Sequence, residues 1–372
     1  MQETQAHRRV RSPHARPLRP AARRPRRPTN WGRRIKLIGF LLLATVVLVV
    51  VLLVQRAAAF NGAVSTESAF SMRVFGPFAG GDRVNILILG YGDEAQGGSF
   101  LSDSMNLLSI DRETDTTALI AIPRDLWVEG IAEVPQNMKI NEALAIGYFA
   151  DGIENGAALA AEAVTHVTGL PVDGWITLDF QGFEGIVDAV GGITVENPTA
   201  FAYTWAEENY AAGNFEGFFE AGTLHLSGAE ALSYARNRYT SVVAESSDFA
   251  RSVRQQRVLQ AIRSELTGWQ TLPKGLAVAD ALEGHLDTNL SVWDLAMLAG
   301  KFDVDQRVEL PEDVIIRATT NSIGQYVLVV IGQATSTDYS PLHAYISEEL
   351  SNPPLPSPMP SESGAPSPSA NP

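Results

Sequence analysis

The stretch NILILG at residues 85–90 decides how the chain folds, because its apolar run from Ile86 to Leu89 ends abruptly on Gly90. It is too short for a stable helix, and a continuous apolar run bounded by turn residues reads as a strand buried on both faces. Moving outward, Met105–Ile110 and Thr117–Ile122 repeat the pattern. Helical patterning then takes over at Ala157–Val167 (AALAAEAVTHV), stopped by Gly169 ahead of Pro171. A strand follows at Trp175–Leu178, a helix at Phe183–Val190 closed by Gly191-Gly192, and a strand at Ile193–Val195. Ala229–Tyr234 opens a helix or a helix-strand corner, and a long helix runs from Phe249 to about Leu266. This alternation predicts an α/β protein, an α-β-α layered domain around a central mixed β-sheet. The core of that domain is expected over residues 83–267. Residues 268–350, with a strand-like piece at Val327–Ile331, are expected to complete it with a further helix and strand pair.

Charge divides the chain unevenly. The first 36 residues hold 12 of the 28 Lys and Arg against one acid, Glu3, which leaves 16 basic and 41 acidic residues in the remainder, a net of −25. The break lies at Leu37–Val54, 18 consecutive residues without charge, flanked by Arg33, Arg34 and Lys36 before and Arg56 after. That length just spans a bilayer core. Residues 1–36 therefore read as a basic disordered cytoplasmic segment, 37–55 as one transmembrane helix preceding the domain, and 56–82 as a linker. Positive charge before the span leaves the amino end in the cytoplasm and the acidic bulk outside the cytoplasmic membrane. The competing reading is a cleaved signal peptide ending near Ala57-Ala58-Ala59, but its apolar and basic parts would both be longer than such peptides carry.

The Arg/Pro-rich head lacks aromatics before Trp31 and is broken repeatedly by Pro, so it suits anionic lipid headgroups better than nucleic acid, and no nucleic-acid partner is expected. Residues 351–372 are Pro/Ser-rich and read as a disordered tail. With no cysteine anywhere, thiol and disulfide chemistry are excluded. Gly90-Tyr91-Gly92 loosely matches a dinucleotide-binding turn, yet Gly97-Gly98-Ser99 follows where a helix should open. Walker, zincin and nucleophile-elbow patterns are missing as well.

What remains is a series of carboxylates and guanidiniums. Asp93 and Asp103 flank the first two strands. They could hold a hard cation together with substrate phosphates, or be solvated loop acids. Arg124 and Asp125 follow the third strand directly, where open α/β sheets place ligands. In Tyr234-Ala235-Arg236-Asn237-Arg238, an extended backbone would project Arg236 and Arg238 from one face. In the helix that follows, Asp248, Arg251 and Gln255 fall at i, i+3 and i+7, again on one face. So many guanidiniums in an acidic domain suit a pyrophosphate, which their planar forks grip with paired hydrogen bonds.

In order along the chain stand NILILG, SDSM at Ser102–Met105, IPRD at Ile122–Asp125, Lys139-Ile140-Asn141, GFEGIVDAVGGITV at Gly182–Val195, AGTLHLSGAEALSYARNR at Ala221–Arg238 and DFARSVRQQ at Asp248–Gln256. In these seven motifs the chain resembles the LytR-CpsA-Psr family of bacterial envelope proteins. The resemblance implies a magnesium-dependent phosphotransferase (Mg²⁺ or Mn²⁺) that moves a phosphoglycosyl polymer from a polyprenyl-pyrophosphate carrier to peptidoglycan. It implies Asp93, Asp103 and Asp248 as metal ligands, and Arg124, Lys139, Arg236, Arg238, Arg251 and Gln255 around the pyrophosphate. Asp103, Arg124 and Asp125 would take part in the chemistry, with Asp103 or Asp125 accepting the proton of the attacking sugar hydroxyl. Two rivals share these residues: a pyrophosphatase of the lipid-linked glycan, and a non-catalytic regulator that binds it. One departure stands out. Leu101 occupies a position where the family usually carries Arg.

Overall fold

The computed structural model describes residues 54–66, 81–92, 100–132, 134, 136–205, 207–246, 248–266, 271–299, 301 and 304–352. These lie in one compact unit, Val54–Pro372. All but the last two residues of the expected membrane span, about half of the linker, Asp93 and nearly all of the Pro/Ser tail fall outside the described residues. Among the described residues, no helix is long and apolar enough to cross a membrane.

Helix α1 (54–64) comes first. Three strands follow, β1 (Arg83–Tyr91), β2 (Ser102–Asp111) and β3 (Thr117–Ala121), then the short pair β4 (Trp127–Val128) and β5 (Met138–Lys139). Next come α2 (Glu142–Thr168), β6 (Gly174–Asp179), α3 (Phe180–Ala189), β7 (Ile193–Asn197), β8 (Phe201–Thr204) and α4 (Glu207–Ala212). The middle of the chain supplies β9 (Gly217–Phe219), β10 (Gly222–Leu226), α5 (Gly228–Arg236), β11 (Tyr239–Thr240) and α6 (Asp248–Glu265). The last part holds α7 (Thr271–Leu282), β12 (Leu286–Thr288), α8 (Val292–Ala299), β13 (Gln306–Val308), β14 (Ile316–Thr320), β15 (Tyr326–Val330) and α9 (Ser340–Ser351).

The central sheet runs β12-β6-β1-β2-β3-β13. It is mixed: β1 pairs antiparallel with β2 but parallel with β6, and β13 joins β3 in parallel. The apolar run of β1 is buried because the sheet is covered on both faces. Leu87 and Leu89 join Leu107, Ile120 and Trp175 in a core with α2 and α9, while Ile86 packs with Leu108, Ile110 and Ile176 toward α1 and α8. A third cluster joins α3, α5 and α6 around Phe201 and Tyr234. The layered α/β expectation therefore describes the fold, with caps where the chemistry demands them. Asp179 accepts from the Gly182 amide to start α3, Ser227 and Glu230 form a capping box on α5, and Gly169 at φ 73° closes α2.

Several boundaries differ from the sequence expectation. Both edge strands of the central sheet, β12 and β13, come from residues 268–350, a larger share than one helix and strand pair. Part of the expected linker is helical and docked: the Asn61 side chain accepts from the Val292 amide and Ser65 Oγ donates to the Leu290 carbonyl. Tyr234–Arg236 is helical rather than extended, because the capping box carries α5 through Arg236 before Asn237 turns to ψ 135°.

Helix α2 is also longer than Ala157–Val167, and it breaks at Asp151 and Gly152, where φ is −158° and 81°. Across this corner the two segments touch backbone to backbone. A Cβ on Gly156 would lie 2.5 Å from the Leu144 carbonyl oxygen, and one on Gly147 would lie 2.6 Å from that of Asn155. Gly156→Val should therefore destabilise the domain by about 1–3 kcal/mol through overpacking. Thermal unfolding checks this, and an unchanged Tm would show that the corner is not tight.

Candidate functional site

The register of β1 against β2 slips next to Gly90. Gly90 pairs with Ser104 and Tyr91 with Ser102, so Asp103 is the extra residue of a bulge. A bulge re-aims the side chain it carries. Here Asp103 Oδ1 accepts from Arg124 Nη1 at 2.8 Å and Oδ2 accepts from Arg236 Nη2 at 2.9 Å. One carboxylate from β2 thus spaces two guanidiniums, one following β3 and one ending α5. The Arg236 guanidinium also lies 3.6 Å from the centroid of the Phe180 ring. Burial lowers the Arg236 pKa, Asp103 opposes that shift, and the neighbouring Arg124 adds to it.

These groups line a pocket of about 400 Å³ together with Arg238, Arg251 and Gln255. Asp103 is the one carboxylate on its wall among the described residues. Much of the remaining lining is apolar, with Leu89, Leu178, Phe183, Leu232, Val258 and Leu259. The pocket lies between the carboxyl end of β1 and helices α3, α5 and α6, with half-exposed Trp205 at its lining.

The remaining expected residues sit elsewhere. Lys139 Nζ donates to Asp125 Oδ1 at 2.7 Å, and Arg124 Nε lies 3.6 Å from Asp125 Oδ2. Asp125 and Lys139 thus form a pair behind Arg124 and do not line the pocket. The Asp125 backbone carbonyl accepts from the Leu328 amide of β15. Asp93, and the side chain of Asp248 at the start of α6, lie outside the described residues. Among the described residues, no three His, Asp or Glu side chains are grouped to hold a metal. Leu101 packs against the first core cluster.

A residue that sequence reasoning passed over organises the arginine cluster. Arg254 on α6 is fully buried. Its Nε donates to the Tyr234 carbonyl, Nη2 to the Asn237 carbonyl at 2.6 Å, and Nη1 to both the carbonyl and the carboxylate of Glu245. Burial lowers its pKa, and Glu245 opposes the shift. The side chain ties α6, which carries Arg251 and Gln255, to the segment that carries Arg236 and Arg238. A signal for it existed: Arg254, Val258 and Ala261 recur at helical spacing, which puts Arg254 on the buried stripe of α6.

The described residues thus build a three-layer α/β domain with an arginine-lined pocket at the carboxyl end of β1. The chain belongs to the LytR_cpsA_psr family, whose model matches residues 47–336. It is 34% identical over 219 residues to the polyisoprenyl-teichoic acid--peptidoglycan teichoic acid transferase TagU of Oceanobacillus iheyensis, covering 58% of this chain and 62% of that protein. The TagU of Bacillus subtilis is 29% identical over 58% of this chain and 63% of its own length. The chain thus spans less than two thirds of the length of these relatives. Protein gbs0355 from Streptococcus agalactiae has a similar fold, with a TM-score of 0.53 and 26% identity over 72% of this chain and 88% of that one. Bacillus subtilis TagV shares the fold at TM-score 0.51 and 23% identity, over 72% of this chain and 97% of its own.

Removing Arg254 would leave Glu245 without its partner and three main-chain carbonyls without donors. Arg254→Met is expected to cost about 3–5 kcal/mol, the range for breaking one side of a buried ion pair. The midpoint of denaturant unfolding measures it. A shift below about 1 kcal/mol, the range of an exposed pair, would mean that Arg254 does not hold the two segments together.

Proposed function

We propose that the chain transfers a phosphoglycosyl polymer from a polyprenyl-pyrophosphate carrier to peptidoglycan, working on the outer side of the cytoplasmic membrane. The observation that carries this reading is the composition of a single pocket. Four arginines and Gln255 share its lining with leucine, phenylalanine and valine side chains, which suits a molecule that joins a diphosphate to a hydrocarbon chain. The names of the relatives, transferases of polyisoprenyl-linked teichoic acid to peptidoglycan, support the same substrate class. Topology rests on the sequence: the basic head and the uncharged Leu37–Val54 run support a single-pass anchor with a cytoplasmic amino end.

Arg124, Arg236, Arg238 and Arg251 would neutralise the diphosphate oxygens, and the Asp103 bridge holds two of these guanidiniums in place before substrate arrives. A peptidoglycan hydroxyl attacks the phosphorus attached to the glycan. A new phosphorus–oxygen bond forms as the bond to the bridging oxygen breaks, and polyprenyl phosphate leaves with that electron pair. Of the two candidate carboxylates, Asp103 lines the pocket and Asp125 does not, so Asp103 is the one within reach of the hydroxyl proton. Each Asp103 oxygen accepts one hydrogen bond from these arginines and keeps a lone pair, a donor set that fits Mg²⁺ or Mn²⁺. Asp103 would hold the ion with Asp93 and Asp248, and the ion would supply further charge for the diphosphate in the transition state.

The test incubates the protein with a polyprenyl-pyrophosphoryl glycan, Mg²⁺ and a peptidoglycan oligomer. Attachment of the glycan is expected, and Arg124→Ala and Asp103→Asn should each lower the rate by about 10²–10³-fold while leaving the Tm in place. Release of glycan phosphate without attachment would make the protein a pyrophosphatase instead. Binding with no phosphorus–oxygen cleavage would leave a non-catalytic regulator.

A further inference from the structure

The segment following the uncharged run is built into the domain. Arg56 of α1 pairs with Asp280 of α7. Asn61, buried, accepts from the Val292 amide at 2.8 Å, at the start of α8. Ser65 bridges to Thr288, and Val64 is buried in the cluster that also holds Leu290 and Leu298. Helices α7 and α8 therefore lie beside the point where the chain leaves Leu37–Val54.

The outward side of α8 is apolar. Trp293 and Met297 are 52% and 45% exposed, and together with exposed Ala296 they fall at i, i+3 and i+4, so they share one face of α8 without a charge. Leu276 on α7 and Val54 at the start of α1 are exposed too. The exposed positions 58, 59, 62 and 63 of α1 are Ala or Gly. On α7 exposed Asp280 is paired with Arg56, and Glu283 is exposed just beyond the helix. Beyond residue 36 the chain carries a net charge of −25, so an anionic lipid surface repels most of its faces. The α8 face carries no carboxylate among its exposed described positions and presents a Trp among aliphatic groups, and Trp is the side chain that settles at the bilayer interface.

We infer that the Trp293–Met297 face of α8, flanked by α1 and α7, rests in the headgroup layer of the bilayer and so sets the orientation of the domain. The inference builds on the membrane anchoring proposed above. It also relates the lipid surface to the pocket. A Cβ on Gly185 of α3 would sit 3.2 Å from the Ala281 Cβ of α7, while Phe180 and Phe183 of the same α3 line the pocket. Helix α3 therefore lies between α7 and the apolar lining of the pocket.

The absence of cysteine makes the experiment direct. The full chain carrying Met297→Cys, and separately Trp293→Cys, is labelled with an environment-sensitive fluorophore and reconstituted in phosphatidylglycerol–phosphatidylethanolamine vesicles. Ile323→Cys serves as reference: Ile323 is 75% exposed between β14 and β15, whose buried residues belong to the core on the other face of the sheet. Lipids bearing a nitroxide near the headgroup should quench both α8 labels several-fold more than the Ile323 label. Equal quenching at all three positions, in protein that floats with the vesicles, overturns the inference and leaves the anchor intact. A blue-shifted α8 label without lipid quenching assigns the face to a second copy or another protein, and overturns it too. Protein that fails to float overturns the anchoring, and the inference falls with it.

Discussion

The arrangement of the pocket depends on one buried guanidinium. Arg254 lies in the protein interior, where an unpaired charge costs far more than a folded domain can spare. It is tolerated because every donor it uses meets an oxygen: three main-chain carbonyls and the Glu245 carboxylate. That satisfaction holds only if the end of α5, the loop after it and α6 keep one relative position. A Lys would not substitute, since one ammonium on a flexible stem cannot reach acceptors spread over Tyr234, Asn237 and Glu245 with the geometry of a planar fork. The positions of Arg236, Arg238, Arg251 and Gln255 follow from this constraint, although Arg254 itself does not line the pocket.

The second constraint comes from the sheet. Burial of β1 on both faces fixes its neighbours, and a one-residue bulge then turns Asp103 out of the alternation of β2. Guanidiniums held close together repel one another, and the Asp103 carboxylate, bridging Arg124 and Arg236, offsets that repulsion before any substrate arrives. Without a counterion of this kind the arginines would spread toward solvent and their convergence on a diphosphate would have to be restored on binding. The ring of Phe180 beneath Arg236 restricts the same side chain from a third direction.

The apolar lining of the pocket has a different origin. It is the seam where the central sheet meets α3, α5 and α6, so Leu178, Phe183, Leu232 and Val258 cover strand ends and remain accessible from the pocket. Arginine and leucine share the lining because loops and helix termini carrying arginine meet core elements carrying leucine at the carboxyl end of β1.

The sequence by itself determined the fold class, the strands β1, β2, β3, β6 and β7, the helices α3, α5 and α6 with the second half of α2, and the presence of several arginines near one another in the chain. Those properties are local: period-two and period-3.6 patterns, Gly stops and Arg-rich motifs are all readable within a dozen residues. Tertiary structure decided the rest. It drew both edge strands from residues 268–350, because strand pairing joins segments whose separation along the chain leaves no periodic trace. It sorted chemically equivalent neighbours into different roles, placing Arg124 in the pocket and Asp125 behind it with Lys139, and burying Arg254 while Arg251 lines the wall. Which guanidinium meets solvent and which meets backbone carbonyls depends on the surfaces packed around it, and those come together only when the chain is folded.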